Sequence, residues 1–404
     1  MTTALLLFAL TLIGDDPMIA GPPKVSPDEE FRALRDARQA AYDAYMKADK
    51  EAKTEEDRAK VRNHPGRRTP AFIPPFLELA KKHQGTTAAE DSLLWIATHS
   101  FNTADCAEAQ RLLTRDFAAS SKLGPALGFQ GHYATYYETS EAFFRAVLAK
   151  NPDTDLQGLA AYWLARHLRR NAVGARRVRT DPRLAQALAD FDRRHANEDL
   201  VDLLRKRDPD AMEAESDKLF ERVIKFHAMT PHNDKRRNPG TLGEAAQSFL
   251  REGRELAVGK PAPEIEGVDL DGRPFRLKDQ RGKVVLLDFG SHFYCGLCRE
   301  TYPAMRRLTS RLKDRPFVLI SINAEPEKSL RQLKEAWTAA GNTWRCLLDG
   351  DGEGPIQKAW NITRFPTIYI VDAKGMIRLK VDYVDVYSKE IDKLVFEAEK
   401  ADAK

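Results

Sequence analysis

The chain has little cysteine: four residues in 404, at positions 106, 295, 298 and 346. A secreted domain held together by disulfides carries many more in a far shorter chain, so a covalent framework is excluded as the basis of its stability. Charge of one sign is also lacking. Lys and Arg total 64 against 60 Asp and Glu, a formal net charge of +4, and the two signs are interleaved. That removes the electrostatic footprint of a nucleic-acid partner. Long apolar runs are missing too. Ala4 to Ile13 falls well short of the roughly 20 residues that span a bilayer, so no transmembrane span is expected. That run has the length of a signal-peptide core, although no Lys or Arg precedes it and no clean small-x-small cleavage site follows. Residues 1–23, ending in the acidic, proline-rich stretch Asp15 to Pro23, are expected to be an export signal and linker, which would place the protein in the periplasm or cell envelope, with a cytoplasmic location as the alternative.

From residue 24 to 257 the apolar spacing is helical. Ser26-Pro27-Asp28-Glu29 combines a cap, a proline suited to the first turn and the Glu of a capping box. The helix through about Lys60 is highly charged, with only a thin apolar stripe. Three- and four-residue spacing then recurs in Phe76–Lys82, Ala89–Phe101, Ala107–Ser120, Ser140–Lys150, Leu156–Leu168, Asp181–Arg193 and Ala211–Phe226. Gly85, Gly124-Pro125, Asn151-Pro152, Gly174 and Asn238-Pro239-Gly240 read as breakers between them. No run alternates as a strand does. The expectation is an all-α domain of antiparallel helical hairpins, loosely similar to tetratricopeptide units. Its aromatics read as core, and its short clusters Arg169-Arg170, Arg176-Arg177 and Lys235-Arg236-Arg237 as solvated loops.

The pattern changes at Val258. Val268 to Leu277 reads as a hairpin turning at Asp271-Gly272. Val284–Phe289 and Phe317–Ile322 are short, almost continuously apolar runs, as expected of strands covered on both faces. Helical patterns follow at Tyr302–Leu312 and Lys328–Ala340. Thr367–Val371 and Met376–Val381 pair through the turn at Asp372–Gly375, and Ser388–Ala401 closes the chain as a helix. Strands alternating with helices imply a central sheet covered on both sides, here over residues 258–404.

Between the first buried strand and a helix stands Phe293-Tyr-Cys295-Gly-Leu-Cys298-Arg. A helix N-terminus carries positive potential and unpaired N–H groups, which lower a thiol's proton affinity. Two intervening residues bring the second sulfur within reach of the first. A structural zinc would need four ligands; His292 could add one to this pair, and no second Cys-x-x-Cys exists. The pair is therefore read as a redox centre, with no metal and no cofactor beyond its own disulfide. His292 is expected to be a solvent-exposed loop residue, and Cys106 and Cys346 small buried apolar side chains.

Residues 258–400 resemble the thioredoxin superfamily, in its redoxin branch of TlpA/ResA-like disulfide reductases. The opening Gly259-Lys-Pro-Ala-Pro, Gly282-Lys-Val-Val-Leu-Leu-Asp-Phe, Pro303 five residues after Cys298, Arg364-Phe365-Pro366-Thr367 and Asp372-Ala-Lys-Gly375 carry the resemblance. It implies a thioredoxin-like α/β fold, Cys295 as attacking thiol, Cys298 as resolving thiol, Pro366 as a cis-proline facing them, and Asp288 as a buried carboxylate that exchanges a proton with Cys298. Glu325 is a second acidic candidate, with the alternative of a helix cap. Tyr294, Gly296, Leu297 and Phe365 would meet the substrate. Partners implied are protein thiol or disulfide clients and a membrane or periplasmic electron donor. The sequence departs from the family in having Tyr294 where Trp is usual, one residue more than the common spacing between Asp288 and Cys295, and Gly296-Leu297 inside the pair. Two alternatives stay open: a peroxiredoxin-like peroxide reductase, and a client-binding protein whose redoxin part is redox-silent.

Overall fold

The computed structural model describes residues 25–67, 69–134, 136–195, 199–232, 240–350, 354–381 and 388–402. The expected leader at 1–23 and the basic cluster at 235–237 lie outside them. The chain divides after Glu213 into two compact units.

The first unit is helical throughout its described residues. Its helices are α1 (Pro27–Glu51), α2 (Glu55–Arg62), α3 (Ile73–Lys82), α4 (Thr87–His99), α5 (Ala104–Asp116), α6 (Gly124–Tyr133), α7 (Glu138–Lys150), α8 (Thr154–Thr180), α9 (Pro182–His195) and α10 (Leu200–Lys206); α11 (Pro209–Phe226) crosses the division. Ser26 and Glu29 form the expected capping box at the start of α1. Neighbours pack α3 on α4, α5 on α7, and α6 and α7 on α8. Two expected breakers act otherwise. Pro125 lies in the first turn of α6, where its missing N–H costs nothing, so Gly124-Pro125 begins a helix. Gly174 is buried within α8, because a Cβ there would stand 2.6 Å from Tyr136 Cε1. The same device recurs where Gly131 of α6 lies flat against the Trp163 indole of α8.

After the end of α11 the second unit forms a two-residue antiparallel ladder, β1 (Pro231–His232) on β2 (Gly240–Thr241), within the stretch expected to be wholly helical. Then comes α12 (Leu242–Glu255). This helix precedes the Val258 boundary yet packs within the second unit. Ser248 Oγ donates to Asn361 Oδ1 at 2.7 Å, Arg251 donates to the carbonyls of Lys358 and Ala359, and Lys380 Nζ meets Glu252 at 2.7 Å. The expected hairpin forms as β3 (Glu266–Val268) and β4 (Pro274–Arg276), with Gly272 at φ +80° in the turn. The remaining elements are β5 (Val284–Gly290), α13 (Gly296–Arg311), β6 (Phe317–Asn323), α14 (Leu330–Ala339), β7 (Arg345–Leu348), α15 (Pro355–Ala359), β8 (Thr367–Val371), β9 (Ile377–Val381) and α16 (Ser388–Asp402).

The five-stranded sheet runs β7-β6-β5-β8-β9. β5, β6 and β7 are parallel, while β8 is antiparallel to β5 and β9 to β8. Strand residues alternate between faces. Val285, Leu287 and Phe289 join one core with Phe275, Ile356 and Trp360. Val284 and Leu286 join the other with Met305 and Leu308 of α13, Trp337 of α14 and Ile391 of α16. The alternation puts Asp288 on this second face, under α13. Among the described residues no helix is long and apolar enough to cross a membrane.

Close packing at Gly131 generates a test. Alanine ordinarily stabilises a helix interior by about 1 kcal/mol over glycine. Gly131→Ala instead sets a methyl into the Trp163 ring, so a net loss of about 1–3 kcal/mol is expected from urea unfolding.

Candidate active site

Cys295 is the N-cap of α13, and the backbone N–H of Cys298 donates to its Sγ at 3.0 Å. The sulfur thus takes the place that a Ser or Asp oxygen fills in an ordinary cap. The helix begins at Gly296, six residues before the apolar pattern that starts at Tyr302, since exposed Leu297, Arg299 and Glu300 contribute no apolar stripe. The two sulfurs are joined as a disulfide with Cα atoms 5.3 Å apart. Cys298 is buried; Cys295 is partly exposed. Around it Phe293, Tyr294 and Leu297 are open to solvent, Tyr294 at 79%. Gly296 is exposed as well, and Phe365 is half-buried.

Asp288 lies beneath the pair. Register sets it between Ser321 of β6 and Ile368 of β8, with Cys346 of β7 beyond Ser321. Ser321 Oγ donates to Asp288 Oδ2 at 2.7 Å, and Oδ1 is buried with no hydrogen-bond partner. A Cβ on Gly290 would stand 3.2 Å from Cys298 Sγ and 3.9 Å from that same Oδ1. The unpartnered oxygen and the inner sulfur therefore converge on one spot, left open because residue 290 has no side chain. Burial pushes the Asp288 carboxyl up to about 6, and the Ser321 hydrogen bond offsets part of this.

The turn between β5 and α13 is pinned from two sides. Glu325, fully buried after β6, accepts from Ser291 Oγ at 2.8 Å and from the Phe293 N–H at 2.7 Å through Oε1. Arg299 donates to the carbonyls of His292 and Phe293. Tyr294 N–H closes the turn onto Ser291 Oγ at 3.0 Å. With the turn held in this way, Asp288 lies under α13. Glu325 caps no helix: the short 3-10 turn after it has Pro326 as its N-cap and no side-chain cap.

His292 does not face solvent. It is buried, its Nδ1 lies 3.3 Å from Tyr302 Oη, and its ring stacks on Tyr302 with Trp337 edge-on. Desolvation, then the nearby Arg299, holds its proton affinity below the usual value. Its sequence neighbours Gly290, Ser291, Phe293 and Tyr294 follow neither a strand nor a helix period, so local pattern does not signal this burial. The peptide Phe365–Pro366 is cis. Since Phe289 pairs with Thr367, the preceding Pro366 stands abreast of Gly290, at the same sheet end as the dithiol. Cys106 and Cys346 are both free and buried; burial pushes the Cys106 thiol up to about 12 and the Cys346 thiol well above its usual value.

The AhpC/TSA family model matches residues 258–380, all within the second unit. Thioredoxin-like protein YneN of Bacillus subtilis is 31% identical over 132 residues, which are 33% of this chain and 75% of YneN. Thiol-disulfide oxidoreductase ResA of Geobacillus kaustophilus is 30% identical over 132 residues, 32% of this chain and 72% of ResA. The chain belongs to the thioredoxin-like thiol-disulfide oxidoreductases. A solved thioredoxin domain of a thiol-disulfide oxidoreductase from Bacteroides vulgatus is 29% identical, covering 35% of this chain and 99% of its own, with a TM-score of 0.32. Membership makes the protein a redox enzyme whose C-terminal part has the thioredoxin-like fold. Among the described residues no group of three or more potential ligands gathers as a metal site.

Asp288 supplies a pH test in this oxidoreductase. Its folded proton affinity, at about 6, lies above its ordinary value of 3.8. The native state therefore binds more protons than the unfolded state between those pH values, and stability falls as pH rises through them. Asp288→Asn should remove that slope in urea unfolding of the oxidised chain, and should raise stability at pH 8 by up to about 3 kcal/mol.

Proposed function

We propose that the chain exchanges its Cys295–Cys298 dithiol with disulfides of protein clients. The observation that carries this reading is the placement of a partly exposed sulfur at the N-cap of α13, with a buried sulfur and a buried carboxylate behind it. In the reducing direction the Cys295 thiolate attacks a client disulfide. One client sulfur leaves as thiolate, and a Cys295–client disulfide forms. Cys298 then gives its proton to Asp288 and attacks the Cys295 sulfur. The Cys295–Cys298 bond forms, the second client thiolate departs, and two electrons have passed to the client. The apolar rim of Phe293, Tyr294, Leu297 and Phe365 supports a polypeptide substrate, because it offers contact area around the sulfur. Pro366, abreast of Gly290, would border the incoming chain.

Regeneration requires an electron partner, which the resemblance to ResA-like proteins places in the membrane or periplasm. Export fits the apolar run Ala4 to Ile13. The redoxin part of this reading is the 258–404 segment, with α12 (Leu242–Glu255) packed against it although it falls in the 24–257 helical part, and the remaining helices would select the client.

Peroxide reduction is the second reading, favoured by the AhpC/TSA match. It wants a Thr or Ser hydroxyl three residues before the reactive cysteine. That position is His292, buried and turned onto Tyr302, which gives a peroxide no donor there.

Cys298→Ser should accumulate a covalent client adduct through Cys295, seen as a mass shift reversed by dithiothreitol. Cys295→Ser should abolish reduction of insulin disulfides, whereas Cys106→Ser and Cys346→Ser should retain most of it per folded molecule. Absence of any adduct would contradict the exchange mechanism, and turnover of hydrogen peroxide at a comparable rate would favour the second reading.

A further inference from the structure

Asp288 Oδ2 is held by a short donor chain. Trp344 Nε1 donates to Ser321 Oγ at 2.9 Å, and Ser321 Oγ donates to Asp288 Oδ2 at 2.7 Å. A hydroxyl has one proton. With the indole N–H directed at the Ser321 oxygen, that proton is aimed at the carboxylate. Trp344 is itself held: it is buried, and its backbone carbonyl accepts the Trp337 indole N–H at 3.3 Å. All three residues lie on the α13 face of the sheet, two strands and the turn before β7 contributing one member each. The chain ends at one carboxylate oxygen and leaves the other, Oδ1, unpartnered beside Cys298.

We propose that Ser321 and Trp344 are positioning residues for the resolving step: they lock Asp288 so that Oδ1 faces the Cys298 thiol and stays ionised until it takes that proton. This deepens the exchange mechanism and rests on it. In the step concerned, the Cys298 S–H bond breaks and its proton passes to Oδ1. The Cys298 sulfur pair forms the bond to Cys295, and the Cys295–client bond breaks with its electron pair leaving on the client thiolate. The client disulfide is the oxidant.

The groups facing Asp288 show why a neutral hydroxyl carries this task. From β6 it meets Ser321, from β8 Ile368, and on the row beyond, Cys346 of β7. From α13 come Cys298 and Tyr302, and Glu325 is a further carboxylate nearby; burial first, and then the charges of Asp288 and Glu325, raises the proton affinity of both Tyr302 and Cys346. Among the described residues no cation pairs with Asp288. Ser321 is the one donor that favours its charged form, and Trp344 fixes the direction of that donor.

Ellman's reagent separates the steps in the reduced full chain. Attack by Cys295 releases one thionitrobenzoate, and attack by Cys298 releases a second in a unimolecular phase that Cys298→Ser lacks. The second phase needs ionised Asp288, so its rate rises with pH. Ser321→Ala removes a hydrogen bond to the charged form, and the midpoint of the rise should move up by about one pH unit. Trp344→Phe should move it the same way by less, and Ser321→Thr, which keeps the hydroxyl, should restore it. A general packing defect would lower the rate without moving the midpoint, and would not be rescued by threonine. If Ser321→Ala and Trp344→Phe keep the wild-type midpoint while Asp288→Asn abolishes the rise, the donor chain is refuted and the role of Asp288 stands. If Asp288→Asn leaves the rise in place, the role of Asp288 falls and the positioning role with it.

Discussion

A carboxylate buried in the middle strand of the sheet, directly under the start of a helix, is the constraint around which the redox end of the second unit is arranged. Burying an ionisable group without a counter-charge is unfavourable. Here the cost is tempered by one hydroxyl rather than a cation, which leaves the group able to titrate near neutral pH. The neighbours follow from that choice. Gly290 lacks a Cβ, so Cys298 can settle over the carboxylate. Ser321 stands opposite Asp288 in register, and Trp344 closes the hydroxyl's remaining side. Such strain on stability at a reacting centre is common, because chemistry requires groups the fold would rather exclude.

The second constraint is geometric. The turn from β5 into α13 must hold a partly exposed sulfur at the helix cap while burying its neighbour. Glu325 from the end of β6 and Arg299 from the first turn of α13 do this by satisfying backbone and hydroxyl groups of residues 291–293. Below them His292, Tyr302, Trp337 and Trp344 form an aromatic cluster, one pair stacked and the others edge-to-face, that fills the space under the turn. The exposed rim is thus carried by a rigid base, as a reacting site that must hold its geometry requires.

Much of this was legible in the sequence because it was carried by local pattern. Val284–Phe289 and Phe317–Ile322 could only be covered strands, and a Cys-x-x-Cys between strand and helix has one dominant chemical use. What remained hidden depended on register, which local pattern does not encode. Ser321 sits in an apolar strand as an unremarked polar residue until pairing sets it against Asp288. Trp344 carries no local sign that its indole meets Ser321, and His292 reads as a loop residue because the partner that buries it, Tyr302, lies a helical segment away. The charge of Glu325 marks it in the sequence, but its contacts to residues 34 and 32 positions earlier depend on strand register, which local pattern does not carry. In the helical unit Gly174 reads as an interruption, yet it and Gly131 are places where an aromatic ring from another segment needs room. The start of the second compact unit upstream of Val258 depends on polar contacts of α12 with residues more than a hundred positions later.

The central claim is that Cys295 and Cys298 cycle together between bonded and free states under biological conditions. Equilibrating the full chain with graded ratios of reduced to oxidised glutathione, then quenching with an alkylating reagent and counting modified sites by mass, addresses it directly. The account predicts a single transition in which Cys295 and Cys298 become alkylated as a pair, with Cys106 and Cys346 unmodified until the chain is unfolded. A pair that stays locked in one state across the whole series, or a transition that belongs to either buried thiol, would contradict it.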